Sequence, residues 1–279
     1  MGMHTKKKIN SVIFHIGACA LGFLMIYPLL WLLASSFKSN DTMFLDTYSL
    51  IPKVWDAGTN YNSGFSGIGG VKFTTFFTNS LIVTVIGTVG CVLTSLLAAY
   101  ALSRLKFKFS GFWFGCVMMT MMIPPQVMVV PQYIILKQLH LINTKTALVL
   151  PWIFGGAFFI FLMVQFFQGI PKELDEAAIM DGANVIQQYR YVKIPYIRPV
   201  IIANCILVLN GSLRSFDISY LLTKGGPGNS SELMSTYMYK QAFTSMKYGY
   251  GSAVAMVIVA ICLIVGFLFR RFTERGGEE

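Results

Sequence analysis

The polar residues best suited to contact a solute lie inside an apolar stretch near residue 210. Asn210, Arg214 and Asp217 recur at intervals of three and four residues, so on a helix they would share one face. Arg or Asp at the centre of a membrane helix costs roughly 2.5–3.5 kcal/mol, so such residues usually face a cavity or a partner. Phe216 and Tyr220 add aromatic surface nearby. The pattern predicts either a solute-contacting lining, with polar groups and stacking rings, or a hydrogen-bonded clamp between helices.

A second candidate site is the loop 168–198, which is unusually acidic for a connection between two apolar stretches. Pro171 suits the first position of a helix, and the acids that follow it complement the positive amino end of that helix. Gly182 can adopt the left-handed conformation that ends a helix. A second helix should follow, and it should stop or kink at Pro195. The loop therefore predicts two short helices with a corner at Gly182.

The first of these helices has a surface that could dock another protein. Its small apolar face is spaced at i, i+3 and i+4 and consists of Leu174, Ala177 and Ala178. Its acids, which would attract basic partners, are Glu173, Asp175 and Glu176. Alanines let another backbone approach closely. The same composition also fits an amphipathic turn resting on the membrane surface.

Other kinds of chemistry lack the residues they need. The five cysteines occur singly and the three histidines are far apart, so we expect no metal and no redox site. The chain has no G-x-x-x-x-G-K-[ST] phosphate loop, so it should not hydrolyse ATP, and we expect no catalytic residue. An intramembrane enzyme would need paired catalytic groups at membrane depth, where Asp217 is the single acid. Basic residues without interleaved aromatics also argue against nucleic acid as a partner.

The composition indicates that a lipid bilayer surrounds these residues. Of 279 residues, 55% are hydrophobic and 12% are charged, whereas soluble domains carry about 25% charged residues. A helix needs about 20 apolar residues to cross a bilayer. Such segments cover residues 11–33, 79–102, 111–136, 147–167, 199–222 and 251–269. The sequence therefore predicts an all-α integral membrane protein with about six transmembrane helices.

The basic residues predict the orientation of these helices. Lys6, Lys7 and Lys8 precede the first apolar segment, which is longer than the core of a signal peptide and should stay uncleaved. Basic residues are about twice as dense in the segments that share a side with the amino terminus, which is the bias of cytoplasmic loops. We therefore expect both termini and the loop 168–198 in the cytoplasm.

The spacing within the loop 168–198 resembles a known signature. An acid and two alanines are followed, after three residues, by a glycine. After nine more residues come an aliphatic residue, one intervening residue, a second aliphatic residue and a proline. The residues that match are Glu176, Ala177, Ala178, Asp181, Gly182, Ala183, Val192, Ile194 and Pro195. This arrangement resembles the signature of the binding-protein-dependent ABC importer permeases.

The resemblance implies a fold, a mechanism and a set of partners. It implies the ABC transporter type-1 transmembrane fold in the bacterial cell (inner) membrane. The loop would lodge in a cleft of a separate ATPase, with Glu176 paired to a basic residue and Gly182 setting the corner. The implied partners are a second homologous permease subunit, two cytoplasmic ATPase subunits that bind ATP and Mg, and an external solute-binding protein. No cofactor is expected in this chain.

The implied division of the chain has three parts. Residues 1–74 would form the first helix and an outer segment, residues 75–270 the permease core with the coupling loop, and residues 271–279 a cytoplasmic tail.

The resemblance extends over nearly the whole chain and narrows to the carbohydrate-uptake (maltose-type) group. Residues 79–104, 123–131 and 141–144 resemble the shorter of that group's two permease subunits, whereas residues 216–243 resemble the longer, sugar-contacting one. Which of the two positions the chain occupies is therefore open. An oligosaccharide or other sugar is the expected cargo. Polyamine or phosphate-type importers use the same loop, but a cationic cargo would predict more acids than Asp217. A secondary transporter would leave the loop spacing unexplained.

Overall fold

The computed structural model describes residues 3–45, 47 and 49–275 of the chain. The first six helices among these residues are α1 (Met3–Ser36), α2 (Ala57–Ser66), α3 (Phe73–Arg104), α4 (Ser110–Met121), α5 (Pro125–Gln138) and α6 (Lys145–Ile153). The remainder are α7 (Ala157–Gln168), α8 (Lys172–Met180), α9 (Val185–Gln188), α10 (Ile194–Leu213), α11 (Asp217–Leu222), α12 (Met234–Tyr239) and α13 (Tyr248–Arg275). Two π turns, Tyr189–Lys193 and Lys240–Thr244, follow α9 and α12.

The predicted number of membrane spans is confirmed. Five helical stretches in the described residues are long and apolar enough to cross a bilayer: Asn10–Ser36, Phe73–Arg104, Lys145–Gln168, Val185–Leu213 and Tyr248–Arg271. The pair α4 and α5 makes a sixth span if it is counted as one. The protein is therefore an all-helical, multi-pass membrane protein.

The third predicted span, residues 111–136, is not one straight helix. The axes of α4 and α5 differ by 104° across a short break at residues 122–124. Prolines explain the break, because the residue before a proline avoids the helical conformation and proline itself cannot donate a ladder hydrogen bond. Pro125 then occupies the first turn of α5, where the missing N–H is not needed.

The fifth predicted span, residues 199–222, begins and ends elsewhere. Helical structure runs from Val185 to Leu213 without stopping at Pro195, because a π turn precedes that proline. The N–H of Ile194 reaches back five residues to the carbonyl of Tyr189, and Pro195 falls in the first turn of α10. Of the two outcomes predicted at Pro195, a stop or a kink, the stop is therefore wrong. The helix instead ends at Leu213, and α11 starts at Asp217, whose carboxylate complements the amino end of the new helix.

The fourth span is broken between α6 and α7 at residues 154–156. Gly155 has φ +84, and a Cβ at this position would lie 3.0 Å from both Thr94 Oγ1 and Ser95 Oγ. The break therefore abuts α3 closely. The N–H of Gly156 points to Ser95 Oγ at 3.4 Å. A side chain of α3 therefore accepts from an N–H group that a continuous helix would pair with one of its own carbonyls.

Helix α3 is central to the apolar core of the compact unit formed by Ile68–Tyr237 and the residues from Ile258 onward. It packs against α6, α7 and α10. The buried residues of this core include Cys91, Leu96, Ala99, Met163, Phe167, Ile197 and Val208. Near the amino end of α3, the Asn79 amide donates to the carbonyls of Ser230 and Glu232, at 2.8 and 3.0 Å. Helix α3 therefore contacts several segments that are distant from it in the sequence.

A second compact unit consists of the described residues up to Gly67 together with Met238–Val257. The part of this unit that follows α1 contains the short helix α2. The buried amide of Asn60 donates to the carbonyls of Ser36 and Lys38 at 2.9 and 2.8 Å and fastens α2 to the end of α1. The predicted division at residues 74 and 270 stays a prediction, and residues 276–279 of the predicted tail lie outside the described residues.

Candidate functional site

The loop 168–198 contains the two helices and the corner that its sequence predicts. Helix α8 begins at Lys172, one residue later than expected, with Pro171 in the capping position. It ends at Met180, and Gly182, which follows the cap residue Asp181, has φ +78. The N–H groups of Gly182 and Ala183 bond the carbonyls of Ile179 and Ala178 at 3.0 and 2.9 Å, so the last turn of α8 closes in a Schellman motif.

The corner leads directly into α9. Asn184 caps this helix with its side-chain oxygen on the N–H of Gln187 at 2.9 Å, and the Gln187 side chain accepts from the Asn184 N–H at 2.8 Å. This reciprocal capping box defines the direction in which the chain leaves the corner.

The outer surface of this corner is both acidic and apolar. Glu176, Ala177, Asp181, Gly182 and Pro195 are exposed, and Ile194 is half-buried. Of the predicted apolar face, Ala178 packs inside the chain, whereas Leu174 is 42% exposed. Val185, which the sequence predicts on the apolar face of the second helix, is more exposed still, and so are three apolar side chains that the sequence reasoning did not single out: Ile179, Met180 and Ile186. Acidic side chains therefore border an uncovered apolar patch, which we call the α8–α9 patch.

One acid of α8 points inward instead. Asp175 Oδ2 pairs with an Arg104 guanidinium nitrogen at 3.2 Å, and Asp175 Oδ1 lies 3.5 Å from Lys193 Nζ. The sequence reasoning treated Arg104 and Lys193 only as markers of orientation. Asp175 precedes the buried Ala178 by three residues and so shares the buried side of α8, but which side is buried is known only from the structure.

The guanidinium of Arg104 also closes the end of α7. It donates to the carbonyl of Phe167, and it donates to that of Ile170 at 3.0 Å. A cation at the carboxyl end of a helix satisfies unpaired carbonyls and complements the helix dipole. Lys193 Nζ lies 5.6 Å from the centre of the Tyr100 ring, so an aromatic face covers the second cation.

The predicted solute-contacting residues lie around a break rather than on one helical face. That face was expected on a continuous helix, and it is absent because α10 ends at Leu213. Arg214, Phe216 and Asp217 line a cavity of about 260 Å³ together with Gln126, which follows the proline break before α5. The sequence reasoning missed Gln126, although it noted the neighbouring prolines.

The two other predicted residues do not belong to the lining of this cavity. Asn210 donates to the Ile206 carbonyl of its own helix at 3.0 Å and accepts, through its backbone carbonyl, from Arg214 Nε at 3.2 Å. Tyr220 stacks on Phe216 with ring centroids 5.1 Å apart. Asn210 and Tyr220 therefore position the residues that line the cavity.

Comparison with known proteins places this architecture in a family. Residues 90–276 match the family described as "Binding-protein-dependent transport system inner membrane component". The chain is 44% identical over 122 residues to "Putative ABC transporter permease protein ORF1" of Caldicellulosiruptor sp. (strain Rt8B.4), covering 44% of this chain and 86% of that protein.

Similarity to other proteins covers more of the chain. The "Arabinooligosaccharides transport system permease protein AraQ" of Halalkalibacterium halodurans is 30% identical over 212 residues, or 75% of this chain and 74% of that protein. The fold matches a solved bacterial ABC transporter involved in the import of the acidic polysaccharide alginate, with a TM-score of 0.77, 20% identity, and coverage of 96% of this chain and 97% of that one. The chain belongs to the binding-protein-dependent transport system inner membrane components, the permeases of ABC transporters.

Proposed function

We propose that the chain is the permease subunit of an ATP-driven importer that takes up an oligosaccharide or another sugar. It acts in the bacterial cell membrane with both termini in the cytoplasm. It pairs with a second permease, receives its solute from an external binding protein, and is driven by two ATPase subunits that bind ATP and Mg.

The observation that carries this proposal is the exposed α8–α9 patch. Exposed apolar side chains rimmed by polar ones mark protein interaction sites. Here Ile179, Met180 and Ile186 are 60%, 88% and 77% exposed, and the acid Glu176 lies beside them. A cleft with an apolar floor and a basic rim on an ATPase subunit would complement both features. Gly182 forms the corner between α8 and α9, and both helices contribute residues to the patch.

The cavity beside Arg214 supports the proposed cargo. Arg214 and Asp217 provide donors and acceptors, Gln126 provides both, and Phe216 adds an aromatic face. Saccharides present hydroxyl groups and apolar ring faces, which such a lining can contact. Relatives and structural neighbours of the chain are named for arabino-oligosaccharides and alginate. A sugar therefore suits this cavity better than a small cation.

Glu176→Lys tests the docking surface. In vesicles that contain the chain with its partner permease, ATPase and binding protein, this variant should insert normally, lose the ATPase on purification, and reduce uptake at least tenfold, because a lysine repels the basic rim. The matched control is Lys106→Glu, a charge reversal in another predicted cytoplasmic loop, which should retain both properties.

The cargo is tested in the same vesicles. Arabino-oligosaccharides and diacetylchitobiose are offered alongside putrescine and phosphate, and accumulation is measured with labelled solutes. Uptake of a saccharide supports the proposal, whereas uptake of putrescine or phosphate alone contradicts the cargo. Full uptake by Glu176→Lys, or uptake without any ATPase, contradicts the coupling mechanism.

A further inference from the structure

We propose that Asp175, Arg104 and Lys193 form a rigid link that transmits the movement of α8 to the membrane core. The inference rests on the proposed function, because it concerns how motion imposed on the α8–α9 patch reaches the spans. Asp175 is a positioning residue in this scheme and makes no contact with solute.

The link joins four elements through two cations. Arg104 lies in the last turn of α3. Its guanidinium donates to the carbonyl of Phe167 in the last turn of α7 and to that of Ile170 just after this helix. Lys193 closes the π turn that continues into α10. The carboxylate of Asp175 accepts from Arg104 and faces Lys193, so a single side chain of α8 engages the cytoplasmic ends of all three spans as they are predicted to lie.

The burial of the link makes it stiff. The side chains of Arg104, Asp175 and Lys193 are 13%, 22% and 8% exposed. Ion pairs shielded from water are screened little by salt, and removing one partner leaves charges buried without compensation. Displacement of α8 away from the spans would break the link at that cost, so α8 and the spans should move together.

Aromatic rings hold the link from the side. The Tyr100 ring, which lies beside Lys193, packs edge-on against Tyr189 with centroids 5.2 Å apart, and against Phe167 with centroids 5.7 Å apart. The rings come from α3, α7 and the residue that opens the π turn. A displacement of Lys193 would therefore also disturb the contacts among α3, α7 and the π turn.

The acids of α8 consequently divide into two groups. Glu173 and Glu176 are exposed and available to a docking partner, whereas Asp175 is directed inward. A variant of Asp175 should leave docking intact and weaken the transmission of force. This separates the link from the docking surface proposed above.

The test uses the complete importer in vesicles, with the amount of saccharide moved per ATP hydrolysed as the readout. Asp175→Asn removes the charge with little change of shape and should lower this ratio about tenfold, within the range of measured couplings between sites. ATPase should still co-purify with this variant. Lys106→Gln, which removes an exposed charge from another predicted cytoplasmic loop, outside both the link and the docking surface, is the matched control and should stay within about twofold of the unmodified protein.

Two further variants decide the matter if Asp175→Asn fails to insert. Asp175→Glu keeps the carboxylate and should restore most of the ratio, and Lys193→Met removes only the longer ion pair and should lower the ratio about threefold. An unchanged ratio in Asp175→Asn, or in Lys193→Met where the first does not insert, overturns the link. Loss of the ATPase from Asp175→Asn also overturns it, because Asp175 would then be a docking residue.

Failure of the proposed function gives a different result. If Glu176→Lys retains its ATPase and its uptake, the docking surface is wrong whatever Asp175 does. If Glu176→Lys fails as expected while Asp175→Asn keeps its ratio, only the link is wrong.

Discussion

Thr94 in α3 donates its hydroxyl to the carbonyl of Ile153, the last residue of α6, at 2.8 Å. The same hydroxyl lies 2.8 Å from the Gly90 carbonyl of its own helix. Ile153 precedes the break at Gly155, so its carbonyl has lost the ladder partner that a continuous helix would supply. A side chain of a neighbouring helix replaces that partner at membrane depth, where water is absent.

Thr94→Val should therefore destabilise the protein. The substitution conserves shape and removes the donor, and hydrogen bonds between membrane helices contribute about 1 kcal/mol. We expect a lower midpoint of thermal unfolding for the purified chain in detergent. Thr78→Val is the matched control, because Thr78 is an exposed threonine of the same helix that donates to the Thr74 carbonyl of its own helix. Equal midpoints for the two variants would contradict the role of Thr94.

The effect of replacing Gly182 should depend only on whether the new residue tolerates the left-handed backbone conformation. Nothing lies within 4 Å of a Cβ at this position, so crowding does not enter. The left-handed conformation costs most residues about 1–2 kcal/mol, whereas Asn tolerates it. Gly182→Val should speed hydrogen exchange across α8 and α9 roughly 5- to 30-fold, since that is the factor such energies produce. Gly182→Asn should exchange nearly as slowly as the unmodified chain, and a similar acceleration in both variants would rule this account out.

Asn79→Asp should weaken the packing near the amino end of α3. The Asn79 amide is 1% exposed and donates to two carbonyls, and a carboxylate would place negative charge against both. Leaving buried polar groups unpaired costs about 1–3 kcal/mol each. The midpoint of thermal unfolding should fall clearly below that of Asn62→Asp, which makes the same change at an exposed position of α2. An unshifted midpoint would show that the amide is dispensable.

Arg214→Gln and Gln126→Leu should slow saccharide uptake. Each removes hydrogen-bonding groups from the lining of the cavity near the break before α11. A lost hydrogen bond corresponds to a change of about three- to tenfold. Initial rates at saturating binding protein measure the effect, and the ATPase should still co-purify. Lys137→Gln, which neutralises an exposed cation outside this lining, serves as the control. Normal rates in both cavity variants would exclude the cavity from the solute path.

Local patterns predicted much of the architecture. The number of spans follows from the length of the apolar stretches, because the hydrocarbon thickness sets a minimum length. The corner at Gly182 follows from the tolerance of glycine for a left-handed backbone. The interruption at Pro124 and Pro125 also follows from proline chemistry in the sequence, whereas its angle of 104° does not.

Other breaks could not be predicted from local patterns. The sequence predicts continuous helices through Gly155 and Ser215, whereas the structure interrupts both. Pro195 shows the converse, because it resembles a helix end but lies in a helix that a π turn allows to continue.

The sequence by itself determined the membrane class, the number of spans and the corner between α8 and α9, since these depend on composition and on interactions within a few residues. The tertiary structure alone decided that Asp175 faces inward while Glu176 faces outward, and that Gln126 joins Arg214 around one cavity. Arg104 and Asp175 are 71 positions apart. Their pairing depends on how α3, α7 and α8 pack, and charge pattern along the chain carries no information about that distance.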